Sequence, residues 1–478
     1  MNGKDMLEWM NELDDKALTD ADITPVKVKK HKGWKIGLSV AAGVLALAVL
    51  TYVLYPYIRG KKSTTSPDSS VGDDPSVVTQ ILKSYEMASP KYPSGPTMKA
   101  PDKKMDEYAE YYKDIVRTVL CDEDGENKVF SPLCMYMSLS MAAEISDGDS
   151  RQQILDALHQ PDIESSRADA NAIWKANYMN GSDIKLLLAN SLWMNSNWNF
   201  ERSTLETLAS EYFASSYSGD PKDPNYNSAY REWLSEQTDG LLDDYLGTSG
   251  LEPSMVLTLV STVNFCGSWV APFNHSHEGI FHGTEGDVQT TFVEGDVHTY
   301  TGEHFVSAEA KLGWNGSVRF ILPEEGMTPE QLLLDEELME HMNDSSPKWD
   351  KFEEPEDYNG HTPYPLLVMP NEIDISSRFT FTDYLREMGI TDVFDVTAAD
   401  FTPLTKEGQG NLSISSIEQT TRVMIDEIGC KAVSVTTTCI GTGDDPIYDN
   451  KVVLDRPYIF EIVSETGLPI FVGIVNNV

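Results

Sequence analysis

The chain has few cysteines, and none of them follows a spacing that builds a disulfide framework or a zinc site. Five are spread along 478 residues, at positions 121, 134, 266, 430 and 439. An odd number, wide spacing and no Cys-x-x-Cys pair argue against the scaffold of small secreted domains and against structural zinc. Most of the five are expected to be small buried hydrophobic residues, and one oxidised pair stays open as an alternative.

Motifs for catalysis and metal binding are also missing. There is no nucleophile elbow, P-loop or dinucleotide fingerprint. His277 and His282 are five residues apart, so they cannot share a helix face as the HExxH zinc motif requires. The stretch "DGDSRQQ" lacks the glycine and the final acid of a calcium loop. The sequence therefore predicts a protein that is not an enzyme and that needs no cofactor or metal.

Basic charge is scarce outside the N-terminal part. Residues 1–63 carry 10 basic and 7 acidic groups, which is +3, whereas the total formal charge is −40. The remainder therefore carries 26 basic and 69 acidic groups, or −43. A part of the chain with this much negative charge repels polyanions, so its overall electrostatic field excludes binding to nucleic acid. The same charge favours a soluble extracellular surface.

One long run has no charged side chain: residues 36–58, "IGLSVAAGVLALAVLTYVLYPYI". Its 23 residues are long enough to span a bilayer, with Trp34 at one end and Tyr52, Tyr55 and Tyr57 toward the other. Five lysines precede the run and three basic residues follow it, which favours a cytoplasmic N-terminus. The prediction is a single-pass signal-anchor protein of the cell membrane: cytoplasmic tail 1–33, transmembrane helix 34–58, Ser/Pro-rich extracellular tether 59–105, and main domain 106–478.

The main domain has helical patterns early and strand patterns late, which predicts an α+β fold. "MDEYAEYYKDIVRTVLC" and "NKVFSPLCMYMSLSMAAEI" are helical, the second entered through Ser131-Pro132. Ser150 and Gln153 predict a capping box for the next helix, and "YREWLSEQTDGLL" predicts a helix that ends at Gly240. "IKLLLANSLWM", "MVLTLVSTVNFCGSWV", "SVRFILPEEG", "PYPLLVMPNEIDI", "VMIDEIG", "PYIFEIV" and "PIFVGIV" are strand patterns.

Residues 426–462 combine a strand pattern with a loop pattern. The first half is rich in Val and Thr and has neither proline nor acid between 430 and 438, whereas the second half is Gly, Asp, Pro and Asn. Alternate side chains of a strand share a face, which separates small residues from larger ones here. The small face holds Cys430, Ala432, Ser434 and Thr436; the other holds Lys431, Val433, Val435 and Thr437. The segment predicts a strand that can be buried on one face, but its partner strands are not evident.

Several landmarks, in order over residues 106–478, resemble the serpin family. "NKVFSPLCMYMSLSMAAEISDGDSRQQILDAL" resembles the family's Ser-Pro helix and the Gly-Asp-Ser helix that follows it. "VNFCGSWVAPFN" is similar to a strand with Asn264, Trp269, Pro272 and Phe273, and "LREMGITDVFDVTAADFTPL" and "DRPYIFEIVSETGLPIFVGIV" resemble the family's later landmarks. The matched positions of the first helices are Asn127, Ser131, Pro132, Leu139, Gly148 and Ile154.

The resemblance implies three β-sheets, about eight or nine helices and an exposed reactive-centre loop at about residues 429–455. It implies a monomeric suicide inhibitor whose cleaved loop inserts as a new strand in the central sheet, releasing stored strain. Glu427 and Gly429 would form the hinge, and Cys430, Ala432, Ser434 and Thr436 would face the core. The breach and shutter around the sheet opening would comprise Trp269, Asn264, Ser131, Cys134 and Gln419, with Cys134 standing where many serpins have serine.

The scissile bond is predicted near Thr442, Gly443 or Asp444. The count forward from Gly429 ends at Gly443, whereas the count back from Pro457 ends near Asp445 or Pro446; Cys439 and Ile440 are outlying candidates. The region contains no arginine, which disfavours a trypsin-like target because an acidic specificity pocket needs a cation. An elastase-like serine protease is the expected partner. An Asp-selective protease is expected instead if Asp444 is the bait residue, the residue just before the scissile bond. The alternative is a non-inhibitory serpin that serves as a binding, chaperone-like or surface-sensor protein.

Overall fold

The computed structural model of the chain describes residues 82–92, 106–180, 185–243, 250–313, 316–344, 347–350, 365–405, 412–414, 417–430 and 451–478. The predicted tail 1–33, the apolar run 36–58 and loop residues 431–450 lie outside these ranges. Within the described ranges, no helix has both the length and the apolar character needed to cross a membrane.

Nine α-helices lie wholly within the described residues, and five of them follow a residue whose side chain caps the helix. Ser131 precedes the second helix, where its side chain accepts a hydrogen bond from the Cys134 amide and Pro132 occupies the first turn. The helices are α1 Asp106–Leu120, α2 Pro132–Ile145, α3 Gly148–Ala157, α4 Ile163–Asn177, α5 Arg202–Glu211, α6 Pro224–Gln237, α7 Pro329–Leu332, α8 Glu336–Asn343 and α9 Thr382–Glu387.

Eighteen strands form in the same residues, most of them after α6, as the α+β prediction requires. They are β1 Glu86–Ala88, β2 Lys128–Phe130, β3 Met179–Asn180, β4 Lys185–Asn195, β5 Ala214–Gly219, β6 Leu257–Ser268, β7 His275–Gly283, β8 Gly286–Asp296, β9 His298–Thr301, β10 Phe305–Lys311, β11 Ser317–Pro323, β12 Leu366–Pro370, β13 Glu372–Thr380, β14 Glu418–Asp426, β15 Gly429–Cys430, β16 Lys451–Val453, β17 Tyr458–Val463 and β18 Pro469–Val475.

The strands build three sheets, as predicted. The large sheet has the order β1-β5-β4-β6-β15-β14-β13, with β3 paired to β4. A second sheet has the order β2-β18-β17-β11-β10-β9, and a third has the order β16-β12-β8-β7. Helix α2, buried along almost its whole length, packs against β6 of the large sheet and β18 of the second. The core therefore lies between these two sheets.

Two helix-end predictions are wrong. Helix α3 begins at Gly148, after Asp147, so Ser150 is inside the helix and does not cap it. Its buried hydroxyl instead accepts a hydrogen bond from the Asp400 amide, at 3.0 Å, which ties the helix to a distant loop. Helix α6 ends at Gln237, three residues before Gly240, because Asp239 and Gly240 both adopt positive φ angles (51° and 74°).

Residues 82–92, which we call the N-terminal strap, belong to the segment assigned to the tether but pack on the domain. Leu82 is buried, and β1 adds to the edge of the large sheet with Glu86 opposite Tyr217 and Ala88 opposite Ser216. At the far end of the strap, the Tyr92 ring lies 5.8 Å from that of Trp174 in α4. The strap therefore crosses the edge of the large sheet between two helices.

Candidate functional site

A tight turn joins the end of β14 to β15. The Asp426 carboxylate accepts hydrogen bonds from the amides of Ile428 (2.7 Å) and Gly429 (3.0 Å), as an Asx-type turn does. The Trp269 indole donates to the Asp426 carbonyl at 2.8 Å, and the Trp269 amide donates to the Ile428 carbonyl at 2.9 Å. The predicted hinge residue Glu427 lies in this turn, where its carbonyl accepts from the Phe273 amide at 3.1 Å. The turn reverses the chain so that the next residues run back along β14.

Gly429 meets the backbone of β6 at close range. In β15 it lies opposite Ser268, and a Cβ atom built on it would be 2.3 Å from the Gly267 carbonyl oxygen. Sequence reasoning gave this glycine the role of a flexible hinge. The structure shows a second requirement, the space for β15 to approach β6, which a glycine in a strand pattern can signal.

Cys430 is the first of the four small residues that were predicted to face the core. It is buried, opposite Gly267 of β6 and Ile425 of β14. Burial raises the pKa of its thiol well above the ordinary value, so the side chain is an uncharged packing group. Ala432, Ser434 and Thr436, which would continue this face, lie outside the described residues.

Ser131 and Gln419 form a buried network beneath β14. The Ser131 amide donates to Gln419 Oε1 at 2.8 Å, and Gln419 Nε2 donates back to the Ser131 carbonyl at 3.0 Å. The Ser131 hydroxyl donates to the Ile470 carbonyl at 2.7 Å, and the Thr421 hydroxyl donates to Gln419 Oε1 at 3.2 Å. The network joins the start of α2 to β14 and to β18, so a shift of β14 has to break or rearrange it.

Cys134 lies beside this network, one turn into α2. It is buried, and burial raises the pKa of its thiol to about 12. A thiol with that pKa stays neutral at physiological pH and is a poor nucleophile. Its role is therefore to fill space under the sheet.

Asn264 lies on the opposite face of the sheet from Gln419. Its Nδ2 donates to the Asp239 carboxylate at 3.0 Å, beyond the end of α6, whereas its neighbour Phe265 packs toward the core against Phe471. The core face of β6 carries Ser261, whose hydroxyl has no hydrogen-bond partner among the described residues. Sequence reasoning missed Ser261, although alternation counted back from Gly267 could have found it.

A slot separates β6 from β14 beyond β15. Strand β15 lies between them, with Gly429 paired to β6 and Cys430 paired to both strands, and no other ladder joins β6 to β14 within the described ranges. A cavity of about 150 Å³ lies there, roofed by α6 and floored by the start of α2. Its lining comprises Tyr230 and Leu234 of α6, Thr238 just beyond the end of α6, residues 260–264 of β6, residues 418–422 of β14, and Ser131, Cys134, Leu241, Leu242, Arg378 and Phe471.

The remaining predicted positions are those of the reactive bond. The candidate reactive-bond residues Thr442, Gly443 and Asp444 lie outside the described residues. Within those residues, no group of three or more His, Cys, Asp and Glu side chains is arranged to hold a metal ion. The arrangement can accept a strand between β6 and β14, since among the described residues no strand pairs with the edges that face the slot beyond β15.

Comparison with protein families and curated proteins gives one consistent result. A family described as "Serpin (serine protease inhibitor)" matches residues 109–478. Serpin-ZXA of Oryza sativa subsp. japonica is 26% identical over 377 residues, which cover 74% of this chain and 90% of the rice protein. Alpha-1-antiproteinase of Rattus norvegicus is 26% identical over 392 residues, which cover 76% of this chain and 87% of the rat protein.

Solved structures share the fold. The thermophilic serpin tengpin in its native state superposes with a TM-score of 0.69 at 24% identity, over 82% of this chain and 99% of tengpin. Human thyroxine-binding globulin complexed with its hormone superposes with a TM-score of 0.65 at 17% identity, over 78% of this chain and 97% of the globulin. At these identities the likeness concerns the fold alone.

Proposed function

Because the chain belongs to the serpin family, we propose that it inhibits a serine-type endopeptidase as a suicide substrate. The protease attacks the loop after β15, and the freed segment inserts between β6 and β14 while the enzyme is still acylated. The observation that carries the proposal is β15 itself: Gly429 pairs with β6, and Cys430 already pairs with both walls of the slot. Cleavage then extends a strand that has started, which releases strain stored in the uncleaved fold.

The register of β15 gives the geometry of the inserted strand. Cys430 pairs with Gly267 on one side and Ile425 on the other, so each later residue pairs one position further back along β6 and β14. Strand β14 buries alternate residues, at positions 419, 421, 423 and 425, and these would meet the small face of the loop. Ala432 would lie between Phe265 and Val423, Ser434 between Val263 and Thr421, and Thr436 between Ser261 and Gln419.

The inserted strand would also bring a partner to a buried hydroxyl that has none among the described residues. Thr436 would arrive beside Ser261, whose hydroxyl is unpaired among the described residues, and beside the Gln419 network. A hydroxyl can donate and accept, so Thr436 can satisfy Ser261 without disturbing the bond between Gln419 and Ser131. A small polar residue therefore suits this position better than an aliphatic one, because unsatisfied buried polar groups are costly.

The bait favours a protease with a small or aliphatic specificity pocket. Thr442, Gly443 and Asp444 are the proposed positions before the scissile bond, and no arginine occurs between residues 429 and 455. An elastase-like enzyme fits Thr442 and Gly443, and an Asp-selective enzyme fits Asp444.

Incubation with pancreatic elastase tests the function. The expected product is a protease–inhibitor complex that survives boiling in SDS, and mass spectrometry of the released C-terminal fragment identifies the cleaved bond. A fragment that begins at residue 443, 444 or 445 supports Thr442, Gly443 or Asp444 as the residue before the scissile bond. A fragment that begins elsewhere shows that another bond is cut. Trypsin is the control enzyme and is expected to give no complex. Quantitative cleavage by elastase and by an Asp-selective protease, without any stable complex, would exclude the inhibitory function.

The second candidate function is ligand binding without inhibition. Human thyroxine-binding globulin is complexed with its hormone on this same fold, so the fold by itself does not require inhibition. Clean cleavage without a covalent complex and without a gain in heat stability favours this candidate.

Residues 36–58 add a proposed membrane anchor, with the N-terminus in the cytoplasm and the serpin domain outside the cell. The run has no charge over 23 residues and is preceded by a lysine-rich segment. Carbonate extraction of cell membranes tests it: the full chain should stay with the membrane pellet, and a variant lacking residues 36–58 should not. Protease added outside intact cells should digest the domain if the orientation is as proposed.

A further inference from the structure

The second sheet ends in a strand that carries no fixed charge. Among the described residues, β9 is the last strand of that sheet and pairs with β10 alone. Its sequence is His-Thr-Tyr-Thr, without a lysine, an acid or a proline. A bare edge of this kind invites pairing with another chain, and proteins prevent it with charged side chains, with prolines or by covering the edge. Strand β13, at one end of the large sheet, follows the first route, since Glu372, Asp374 and Arg378 lie along it.

Residues 347–350, which we call the edge cover, lie along the outer side of β9. The Asp350 amide donates to the Thr299 carbonyl at 2.8 Å, and the Thr301 hydroxyl donates to the Asp350 carboxylate at 3.0 Å. Because alternate residues of a strand direct their backbone groups to the same edge, Thr299 and Thr301 both present theirs away from β10. The edge cover therefore occupies the position that a further strand would take.

Trp349 anchors the edge cover on the side of the sheet where α8 lies. Its ring stacks on His298 of β9, with centroids 6.1 Å apart, and meets the His341 ring of α8 edge-on at 5.9 Å. His341 is buried and stacks in turn on Tyr300 of β9 at 4.4 Å. These ring contacts add to the two hydrogen bonds of Asp350. One side chain of the edge cover thus grips both the strand and the helix.

Arg319 fixes the direction in which the chain leaves α8. Its buried guanidinium donates to the carbonyls of His341 (3.2 Å), Met342 (2.9 Å) and Asp344 (2.7 Å). These carbonyls belong to the last turn of the helix and to the residue that follows it, where the helix itself offers no partner. Arg319 lies in β11, two strands in from β9. The interior of the second sheet therefore sets the course of the chain toward the edge cover.

The bare edge of β9 matches the same edge of a second copy. When two copies pair antiparallel about Tyr300, Thr299 of each lies opposite Thr301 of the other, and their outward backbone groups form the hydrogen bonds. The two Tyr300 rings meet at the centre as a cross-strand aromatic pair. No like charges face each other in this register, and pairing about a two-fold axis closes as a dimer. A second copy is therefore the partner that this edge fits.

We propose that the edge cover is an intramolecular guard, which keeps β9 from pairing with β9 of a second copy and so keeps the protein monomeric. The formal charge of −40 also repels a second copy. That repulsion is screened by salt, so the edge cover is the barrier that remains at high ionic strength. The proposal concerns the second sheet and is independent of the inhibitory function proposed above.

Light scattering of the full chain in detergent tests the guard. Trp349→Ala combined with Asp350→Pro removes the ring contacts, the carboxylate and the backbone donor of the edge cover at once. Adding Thr299→Pro removes an outward backbone amide that the pairing of two β9 strands needs, and edge strands tolerate proline. Trp198→Ala is the matched control, since Trp198 is a partly buried tryptophan in the turn after β4.

The double variant is expected to approach twice the wild-type mass at about 0.1 mM protein in about 1 M NaCl, where the Debye length is about 3 Å. It should return toward the monomer at low salt, and Trp349→Ala alone should dimerise more weakly. The wild type, Trp198→Ala and the triple variant with Thr299→Pro should stay monomeric under both conditions.

Two results overturn the guard. A double variant that stays monomeric in high salt, whether or not its melting temperature falls, shows that the edge cover only stabilises the fold. Association that persists in the triple variant, that extends beyond a dimer or that the wild type shows equally uses another surface of the protein.

Discussion

Gly429 cannot gain a side chain without moving β15, because an added Cβ would lie 2.3 Å from the Gly267 carbonyl oxygen. Gly429→Ala is therefore expected to lift the hinge out of the large sheet and to lower the free energy of unfolding by about 1–3 kcal/mol, as overpacking does. Hydrogen exchange should show loss of protection at Cys430, and urea unfolding measures the stability. Gly313→Ala is the control, since a Cβ there would meet only one atom, at 3.7 Å. Equal protection in both variants would contradict the close-approach role.

Glu461 predicts a dependence of stability on pH. It is fully buried in β17, between the Tyr112 hydroxyl (2.7 Å) and Arg319 (3.2 Å), and desolvation raises its pKa to about 7. Arg319 lowers this pKa, and the nearby Glu309 carboxylate raises it. A raised acid pKa means that the folded state holds the proton more tightly than the unfolded chain does. Stability is therefore greatest below about pH 4.5 for this group and falls as pH rises to 7.

The size of this effect is roughly 3 kcal/mol, since each pKa unit corresponds to about 1.4 kcal/mol. Glu461→Gln keeps a hydrogen-bond acceptor but cannot ionise, so the fall in unfolding free energy between pH 5 and pH 8 should be lost. The measurement is urea unfolding at a series of pH values. Glu336→Gln, an exposed acid on α8, should leave the fall in place. A wild-type chain equally stable at pH 5 and pH 8 would show that Glu461 does not titrate in this range.

At the scale of single elements, the alternation of small and large side chains in the loop predicted which face would be buried. The structure buries Cys430 opposite Gly267 and Ile425, which agrees with that face. Asn264 was assigned to the sheet opening by family resemblance alone, without counting alternation along β6. Its side chain lies on the α6 side, bonded to Asp239. Periodicity reports a face only when it is counted from a residue of known orientation.

The slot and the strap lay beyond sequence reasoning for a different reason. No residue of β6 or β14 signals that the described residues of the two strands do not pair directly, because alternation reports the faces of a strand and not its neighbour. The strap has a helix-capable stretch among Ser and Pro residues, and its burial of Leu82 depends on a groove formed by residues far away in the sequence. From the sequence alone this groove is not known, so the Ser- and Pro-rich composition predicts a tether.

The inserted strand can be stopped by one bulky charge on its small face. Thr436→Arg would place a guanidinium between Ser261 and Gln419 in the core, where an unpaired charge is strongly disfavoured. The variant should be cut by the protease as a plain substrate, with complex formation reduced at least tenfold. Thr436→Ser is the control and should inhibit normally. Normal inhibition by the arginine variant would place residue 436 outside the inserted register. SDS gels of both reactions read the ratio of complex to cleaved chain.

At the scale of the whole molecule, the described residues leave a slot between β6 and β14 of the largest sheet, so a single cut in the loop should make the protein more stable. Insertion adds about ten ladder hydrogen bonds at roughly 1 kcal/mol each, or on the order of 10 kcal/mol before apolar burial. For a domain of this size that gain corresponds to a rise in Tm on the order of 10–20 °C. Calorimetry before and after limited proteolysis at the loop measures it. The cleaved Thr436→Arg variant should gain far less than the cleaved wild type, because the stabilisation comes from the strand entering the slot and not from the cut. A wild-type chain that melts at the same temperature before and after the cut would mean that the segment after β15 does not insert between β6 and β14.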